Sequence, residues 1–226
     1  MLRNINLFLF FSYLTVCVSP CIGQNQIPEK EGFVTLFNGE NLDGWIGNKK
    51  SYQAIEGNIV VNPNGGGSGG NLFTEAQYSD FIFKFEFQLT PGANNGLGIH
   101  APLEGDVAYV GKELQILDNT AEKYSELKAY QYHGSVYGVI PAKRGFLRPV
   151  GQWNEQIVTV QGSKIKVVLN GNTIVDGDFL EASKNGTMDK NNHPGLQRTV
   201  GHIGFLGHGD VVRFRNIKIK ELASKK

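Results

Sequence analysis

Cysteine is nearly absent from this sequence, with two in 226 residues. Both, Cys17 and Cys21, lie in an apolar N-terminal stretch that reads as an export signal. Arg3 gives it a positive start, and Ile5 to Val18 has the length of a signal core and is short for a membrane span. Small residues before Gln24 place cleavage after Gly23, and Pro20 argues against an acyl chain on Cys21. The expected organisation is a signal over 1–23, a short linker over 24–31 and one domain over 32–223. The exported chain then has no disulfide framework and depends on a packed core, which its length can supply. An excess of one charge is also missing. Removing Arg3 from the 22 basic residues leaves as many as the 21 acidic ones. That balance excludes a general attraction to nucleic acid or anionic membrane. A sustained helical period is absent too, with Glu122 to Tyr130 as the one modest helix candidate. There is no nucleotide-binding signature, internal repeat or second domain.

What is present is β-strand alternation. Phe81, Phe83, Phe85, Phe87 and Leu89 share one face of a strand, while Ile82, Lys84, Glu86 and Gln88 take the other. Ile157–Val160 and Ile165–Leu169 flank Gln161-Gly162-Ser163, and Asn170-Gly171-Asn172 follows before Ile174. These read as two consecutive hairpins. Ile203–Leu206 and Val211–Ile219 flank Gly207-His208-Gly209-Asp210 and read as a third. Such spacing predicts an all-β, concanavalin-like jelly-roll sandwich of two antiparallel sheets. Asn62 to Gly70 reads as a flexible loop, and Glu181 to Arg198 as a polar excursion over one sheet face.

The chemistry concentrates in Lys112-Glu-Leu-Gln-Ile-Leu-Asp118. Alternation points Leu114 and Ile116 one way and Glu113 and Gln115 the other. Asp118 joins their face only if a bulge or the strand's end adds a residue. Glu113 is the first choice for a general base, and Asp118 for a second base, an acid or a metal ligand. Gln115 cannot titrate and would bind a hydroxyl or orient Glu113. His133, in a stretch dense in tyrosines that includes Tyr137, is a candidate acid or base, with Tyr137 as a stacking surface. His100 follows glycines that leave room for a ligand. His208 occupies a turn, and Lys143 sits in a loop as a cationic cap. Arg213 and Arg215 share a strand face and could bind hydroxyls or a developing anion. Glu113, Asp118 and one or two histidines could hold a divalent cation, although no His-x-His or similar spacing marks a metal site. Each of these residues also has an ordinary reading as a wet strand face, a packed ring or a solvated turn.

Several segments together resemble the 3-keto-disaccharide hydrolase family. They are Phe37-Asn-Gly-Glu-Asn-Leu-Asp-Gly-Trp45, Glu113-Leu-Gln-Ile-Leu-Asp118, Pro149-Val-Gly-Gln-Trp-Asn154, Leu169-Asn-Gly171, and Gly201-His-Ile-Gly-Phe-Leu-Gly-His-Gly209 with Phe214-Arg-Asn-Ile217. The resemblance runs from Gly32 to Leu222. It implies action on small carbohydrates oxidised at carbon 3. A base removes the acidified hydrogen from carbon 2, the enolate expels the group on carbon 1, and water then adds. It also implies an upstream sugar 3-oxidase as pathway partner. Where many family members resemble Asn-Ser-Gly-x-x-x-Arg, this chain has Asn95-Gly96 and His100. The strand also resembles the Glu-x-Asp-x-x-Glu of laminarinase-type glycosidases, with Gln115 in place of the middle acid. That replacement weakens ordinary retaining hydrolysis, which needs two close carboxyls. The alternatives left open are a non-catalytic carbohydrate-binding module, a glycosidase on unoxidised sugars and an adhesion domain.

Overall fold

The structure, a computed structural model, describes residues 32–62, 64 and 69–223. The expected signal and linker, and most of the glycine-rich loop, lie outside the described residues. In chain order the elements are β1 (Val34–Thr35), β2 (Trp45–Gly47), β3 (Tyr52–Ile55), β4 (Asn58–Val61), β5 (Gly70–Thr74), β6 (Phe81–Leu89) and β7 (Asn94–Ala101). There follow α1 (Val107–Val110), β8 (Lys112–Leu117), β9 (Trp153–Gln161), β10 (Lys164–Leu169), β11 (Asn172–Asp178), α2 (Phe179–Ser183), β12 (His202–Gly207) and β13 (Val212–Glu221). Among the described residues no helix is long and apolar enough to cross a membrane.

The strands form two antiparallel sheets. The larger runs β11-β10-β9-β6-β13-β4-β3, with β1 paired to β13, and the smaller runs β2-β5-β12-β7-β8. The fold is therefore the expected all-β sandwich. The alternation of β6 is realised residue by residue: its four phenylalanines and Leu89 are buried, and the residues between them are partly exposed. The two predicted hairpins form as β9–β10 and β10–β11. Asn170 (φ 49°) and Gly171 (φ 82°) both take the left-handed conformation that a tight hairpin turn needs.

The third expected hairpin is not one. β12 belongs to the smaller sheet and β13 to the larger, so the turn Gly207–Asp210 crosses from sheet to sheet. Packing gives the reason, because Phe205 of β12 lies flat on Phe214 of β13 across the core at 3.7 Å. Trp45 stacks on the other side of Phe205 at 5.7 Å, and Phe85 meets it edge-on at 5.9 Å. Period-2 alternation is the same whether neighbouring strands pair side by side or face each other. The predicted helix over Glu122 to Tyr130 is also corrected. It resolves into two 3₁₀ turns, Glu122–Tyr124 and Ala129–Gln131, and the α-helical turns fall at α1 and α2 instead.

One corner of the smaller sheet positions the candidate site. β8 is its edge strand, paired with β7 on one side. Residues Gly134 to Tyr137 cover the free edge: Gly134 N–H donates to the Gln115 carbonyl and Tyr137 N–H to that of Glu113. The β12–β13 turn is tied to the start of β7 by Asn94 N–H donating to Asp210 Oδ2 at 2.9 Å.

Because Phe205 touches both sheets, Phe205→Ala should cost about 3–5 kcal/mol of stability. The check is the urea midpoint, which should fall without a change in slope.

Candidate active site

With Leu114 and Ile116 in the core, Glu113, Gln115 and Leu117 must face out of the smaller sheet. They do not meet open solvent. A cavity of about 280 Å³ lies over them, closed by Asp106, Ala108 and Tyr109 around α1, Tyr124 and Gln131 from the 3₁₀ turns, Tyr137, Asn94 and His208. Its size and its mixed ring and polar lining suit one small ligand.

Glu113 is buried at 5 % exposure. Its Oε1 has no hydrogen-bond partner and lies 3.6 Å from His208 Nε2. That distance is too long for a formed hydrogen bond but close enough for strong electrostatic coupling. Interaction with Glu113 raises the His208 pKa above its ordinary value, and the Asp106 and Asp210 charges act the same way. Burial opposes them. Gly96 is the reason the carboxylate fits: a Cβ there would sit 2.1 Å from Glu113 Oε1. The room expected beside His100 is thus taken up by the base candidate itself.

The expected substrate-binding residues Gln115, Tyr137 and His208 also line this cavity. Tyr137 is partly buried and its pKa is raised, first by burial and then by the neighbouring Tyr109.

The other candidates are not brought here. β7 and β8 pair without a bulge, so Asp118 ends the strand and turns away. Its carboxylate accepts Gly92 N–H at 2.8 Å, Thr120 N–H at 2.9 Å and the Thr120 hydroxyl at 2.6 Å. Burial would raise its pKa, but those bonds together outweigh burial and lower it. Asp118 caps a turn. His133 is a core residue, stacked on Phe87 at 5.0 Å. Its Nδ1 faces the Leu117 N–H at 3.3 Å and its Nε2 faces Gln156 Oε1 at 3.0 Å. The amide must donate, which leaves a neutral ring protonated on Nε2, and burial lowers its pKa to about 4.

His100 (φ 48°) leaves the strand's alternation and lies edge-on to core Phe81. It contacts the carbonyls of Ser79 and Arg198 and the ammonium of buried Lys112, which lies 3.1 Å from Nδ1. Burial first, then the Lys112 charge, brings its pKa to about 4. Lys143 is exposed in its loop, with its backbone N–H bonded to the Ile174 carbonyl.

Arg213 and Arg215 lie on β13 in the larger sheet, on the side away from core Phe214, while Glu113 lies outside the smaller sheet. A shared site with Glu113 is therefore corrected. Arg215 binds Glu86 at 2.8 Å and stacks on Trp153 at 3.9 Å, and Arg213 reaches Gln88 at 3.3 Å. Among the described residues no three His, Cys, Asp or Glu side chains converge in a metal-binding arrangement. Glu113 and Asp118 in particular do not meet.

The cavity also holds residues that sequence reasoning passed over: Asn94, Asp106, Tyr109, Tyr124 and Gln131. One signal was available. Asp106 directly precedes the apolar Val107-Ala-Tyr-Val110, the pattern of a helix N-cap, and its Oδ1 does accept Ala108 N–H at 3.1 Å. A one-turn helix is too short to show periodicity, so Tyr109 stayed hidden.

A buried carboxylate coupled to a half-exposed histidine within a ring-lined cavity, on a concanavalin- and galectin-like sandwich, defines a protein of the carbohydrate-active type of fold. Residues 32–220 match the family described as the 3-keto-alpha-glucoside-1,2-lyase-like domain. The chain belongs to that family. A curated relative, the 3-keto-disaccharide hydrolase of Bacteroides thetaiotaomicron, is 28 % identical over 87 % of this chain and 81 % of its own length. Two crystal structures of proposed glycosyl hydrolases from Parabacteroides distasonis superpose with TM-scores of 0.73. They are 25 % and 27 % identical, over 85 % and 84 % of this chain and 95 % and 99 % of theirs. The lumenal domain of VIP36, 12 % identical over 90 % of this chain and 92 % of its own with a TM-score of 0.56, shares the fold.

The neutral histidines have a consequence for stability. His133 and His100 bind fewer protons folded (pKa about 4) than unfolded (about 6.5). Between those values the unfolded chain takes up the extra proton, so their contribution is present above about pH 6.5 and lost as pH falls through 4. Stability should drop across that window by up to about 3 kcal/mol for His133 alone. Urea titrations at several pH values check this, and His133→Met should flatten the slope even though it lowers stability at neutral pH.

Proposed function

We propose that the chain is a carbohydrate-active enzyme that cleaves glycosides oxidised at carbon 3, with Glu113 as the base and His208 as its acid partner. The observation that carries the reading is the Glu113–His208 couple in the cavity, a carboxylate and an imidazole 3.6 Å apart. It is supported by membership of a family described as lyase-like on 3-keto-glucosides and by the name of the curated relative.

A ketone at carbon 3 acidifies the hydrogen on carbon 2. The Glu113 carboxylate takes that proton, the electron pair forms the enolate, and the carbon 1–oxygen bond breaks. The raised pKa of His208 favours the imidazolium, which protonates the departing oxygen. Water then adds at carbon 1 and a proton returns to carbon 2, so the net change is hydrolysis and both side chains regain their starting states. Tyr109, Tyr124 and Tyr137 offer rings and hydroxyls to the sugar, and Gln115, beside Glu113 on the same face, offers an amide.

Such a substrate must come from an enzyme that oxidises carbon 3, so the reading includes a sugar 3-oxidase acting upstream. Export of the chain, as the N-terminal pattern suggests, would let it meet extracellular or periplasmic glycosides.

The test is turnover of a 3-keto disaccharide beside its unoxidised parent. Wild type should cleave only the keto sugar, and Glu113→Gln should lower kcat by at least about 100-fold while still binding it. Equal cleavage of both sugars would instead favour an ordinary glycosidase. Binding without turnover by wild type would favour a binding module, and a chelator arm reports any divalent cation. His208 acts protonated and its pKa lies above the ordinary 6.5. The kcat/KM profile should therefore fall on its alkaline side above pH 6.5, and His208→Gln should remove that limb. An unchanged limb in the variant would assign the acid elsewhere.

A further inference from the structure

Outside the cavity, a second buried pair of titratable groups stands directly behind its wall. His193 and Asp189 are 1 % and 4 % exposed, with His193 Nε2 at 2.9 Å from Asp189 Oδ2 and 3.1 Å from Oδ1. The other ring nitrogen, Nδ1, lies 3.0 Å from the carbonyl oxygen of Ala108 in α1. Both ring nitrogens of His193 thus lie within hydrogen-bond distance of an oxygen of the fold, one on each side of the ring. Burial alone would raise the Asp189 carboxyl. Hydrogen bonds from His193, the Asn191 N–H and the Thr187 and Asn191 side chains together outweigh it and bring Asp189 to about 2. The carboxylate facing His193 thus stays ionised across the working pH range.

This pair reaches two of the three tyrosines of the cavity wall, Tyr109 by its ring and Tyr137 through the backbone beside it. The His193 ring packs against that of Tyr109 with centroids 4.8 Å apart. Asn191 Nδ2 lies between Asp189 Oδ2 at 3.1 Å and the Tyr109 hydroxyl at 3.4 Å. On the other side, Met188 and Asp189 N–H groups donate to the carbonyl of Gly138, next to Tyr137. A Cβ at Gly138 would stand 2.6 Å from Asp189 Oδ2, so the backbone after Tyr137 presses directly on the carboxylate. Tyr109 and Tyr137 then meet edge-to-face at 6.4 Å. The 3₁₀ turn Pro194–Gln197 that follows His193 packs on α1, so the excursion backs the same wall.

We infer that His193 and Asp189 are positioning residues that set the Tyr109 and Tyr137 rings where the sugar binds, a role the polar segment 179–198 carries out from behind the cavity. Neither lines the cavity, so neither is a catalytic residue. The inference rests on the sugar-binding reading of the site, and its spectroscopic arm stands without it. A ring needs only a hydrophobic neighbour to stay folded. One hydrogen bond to the Ala108 carbonyl of α1 and one contact through Asn191 set its angle and height, which matters when a ligand stacks on it.

The experiment uses the full chain labelled with ¹³C on its tyrosine rings. Asp189→Asn should shift the Tyr109 and Tyr137 ring signals and leave that of Tyr124 in place. It should raise KM for the keto disaccharide about tenfold and change kcat much less. Because the pair acts through the rings, Asp189→Asn combined with Tyr109→Leu should lose less affinity than the sum of the two single variants. Fully additive losses or unmoved Tyr109 and Tyr137 signals would each overturn the inference. If Asp189→Asn does not fold, Asn191→Ala in the exposed part of the loop decides it by the same Tyr109 shift and KM change. If wild type turns over neither sugar, the proposed function fails, while the tyrosine ring signals still decide the positioning role.

Discussion

The stacking of Phe205 on Phe214 joins the two sheets, and the placement of the site follows from it. Those rings sit on consecutive strands that belong to different sheets, so the turn between them must cross the edge of the sandwich. That crossing carries His208 to the corner where β8 forms the sheet's edge. Once Leu114 and Ile116 are committed to the same core, Glu113 has one direction left, towards His208. The Glu113–His208 couple is in this sense a by-product of core packing, with the apolar face deciding where the polar one points.

The chain then uses burial to give chemically similar side chains different work. Four histidines lie in four different surroundings. His133 and His100 are neutral and buried, one between a core ring and an amide, the other beside a lysine. His193 has two acceptors and a persistent counter-charge. His208 is half exposed and shifted up by an unsatisfied carboxylate. Of these, His208 combines access to the cavity with a pKa raised above its ordinary value. The carboxylates divide similarly: Asp118 is saturated by a turn, Asp189 by a histidine, and Glu113 keeps an unpaired oxygen. A group whose hydrogen bonds are complete is held in one protonation state, and one left incomplete is available for proton transfer.

A small cavity built on an edge strand needs its open side walled, and this fold supplies the wall from irregular segments. Gly134 to Tyr137 covers the strand's free edge through backbone bonds, α1 adds Asp106 and Tyr109, and the 179–198 excursion braces both from behind. The sheet gives the base a fixed direction, while the loops decide what ligand shape can reach it.

Local alternation and turn chemistry were enough to read the sandwich, the β9–β10–β11 hairpins and the outward face of Glu113 and Gln115, because these depend on neighbours one to four residues away. Asn170-Gly171 could only be a tight turn, and five apolar residues at period two in β6 could only be one buried face. The tyrosine-dense stretch around His133 gave the expectation for Tyr137, and the set of family motifs strengthened that for His208. What the sequence could not carry was which strands face and which pair. Arg215 was on a polar strand face as expected, but on the wrong sheet to meet Glu113. Nor did His133, His100 and Asp118 differ from functional residues until their partners were in place: an amide from Leu117, the ammonium of Lys112, the N–H groups of Gly92 and Thr120. Those partners stand 2 to 26 positions away in the chain. Strand direction and side-chain parity are local properties of the backbone, whereas burial, pKa and the walls of a cavity are sums over residues that only the folded chain brings together.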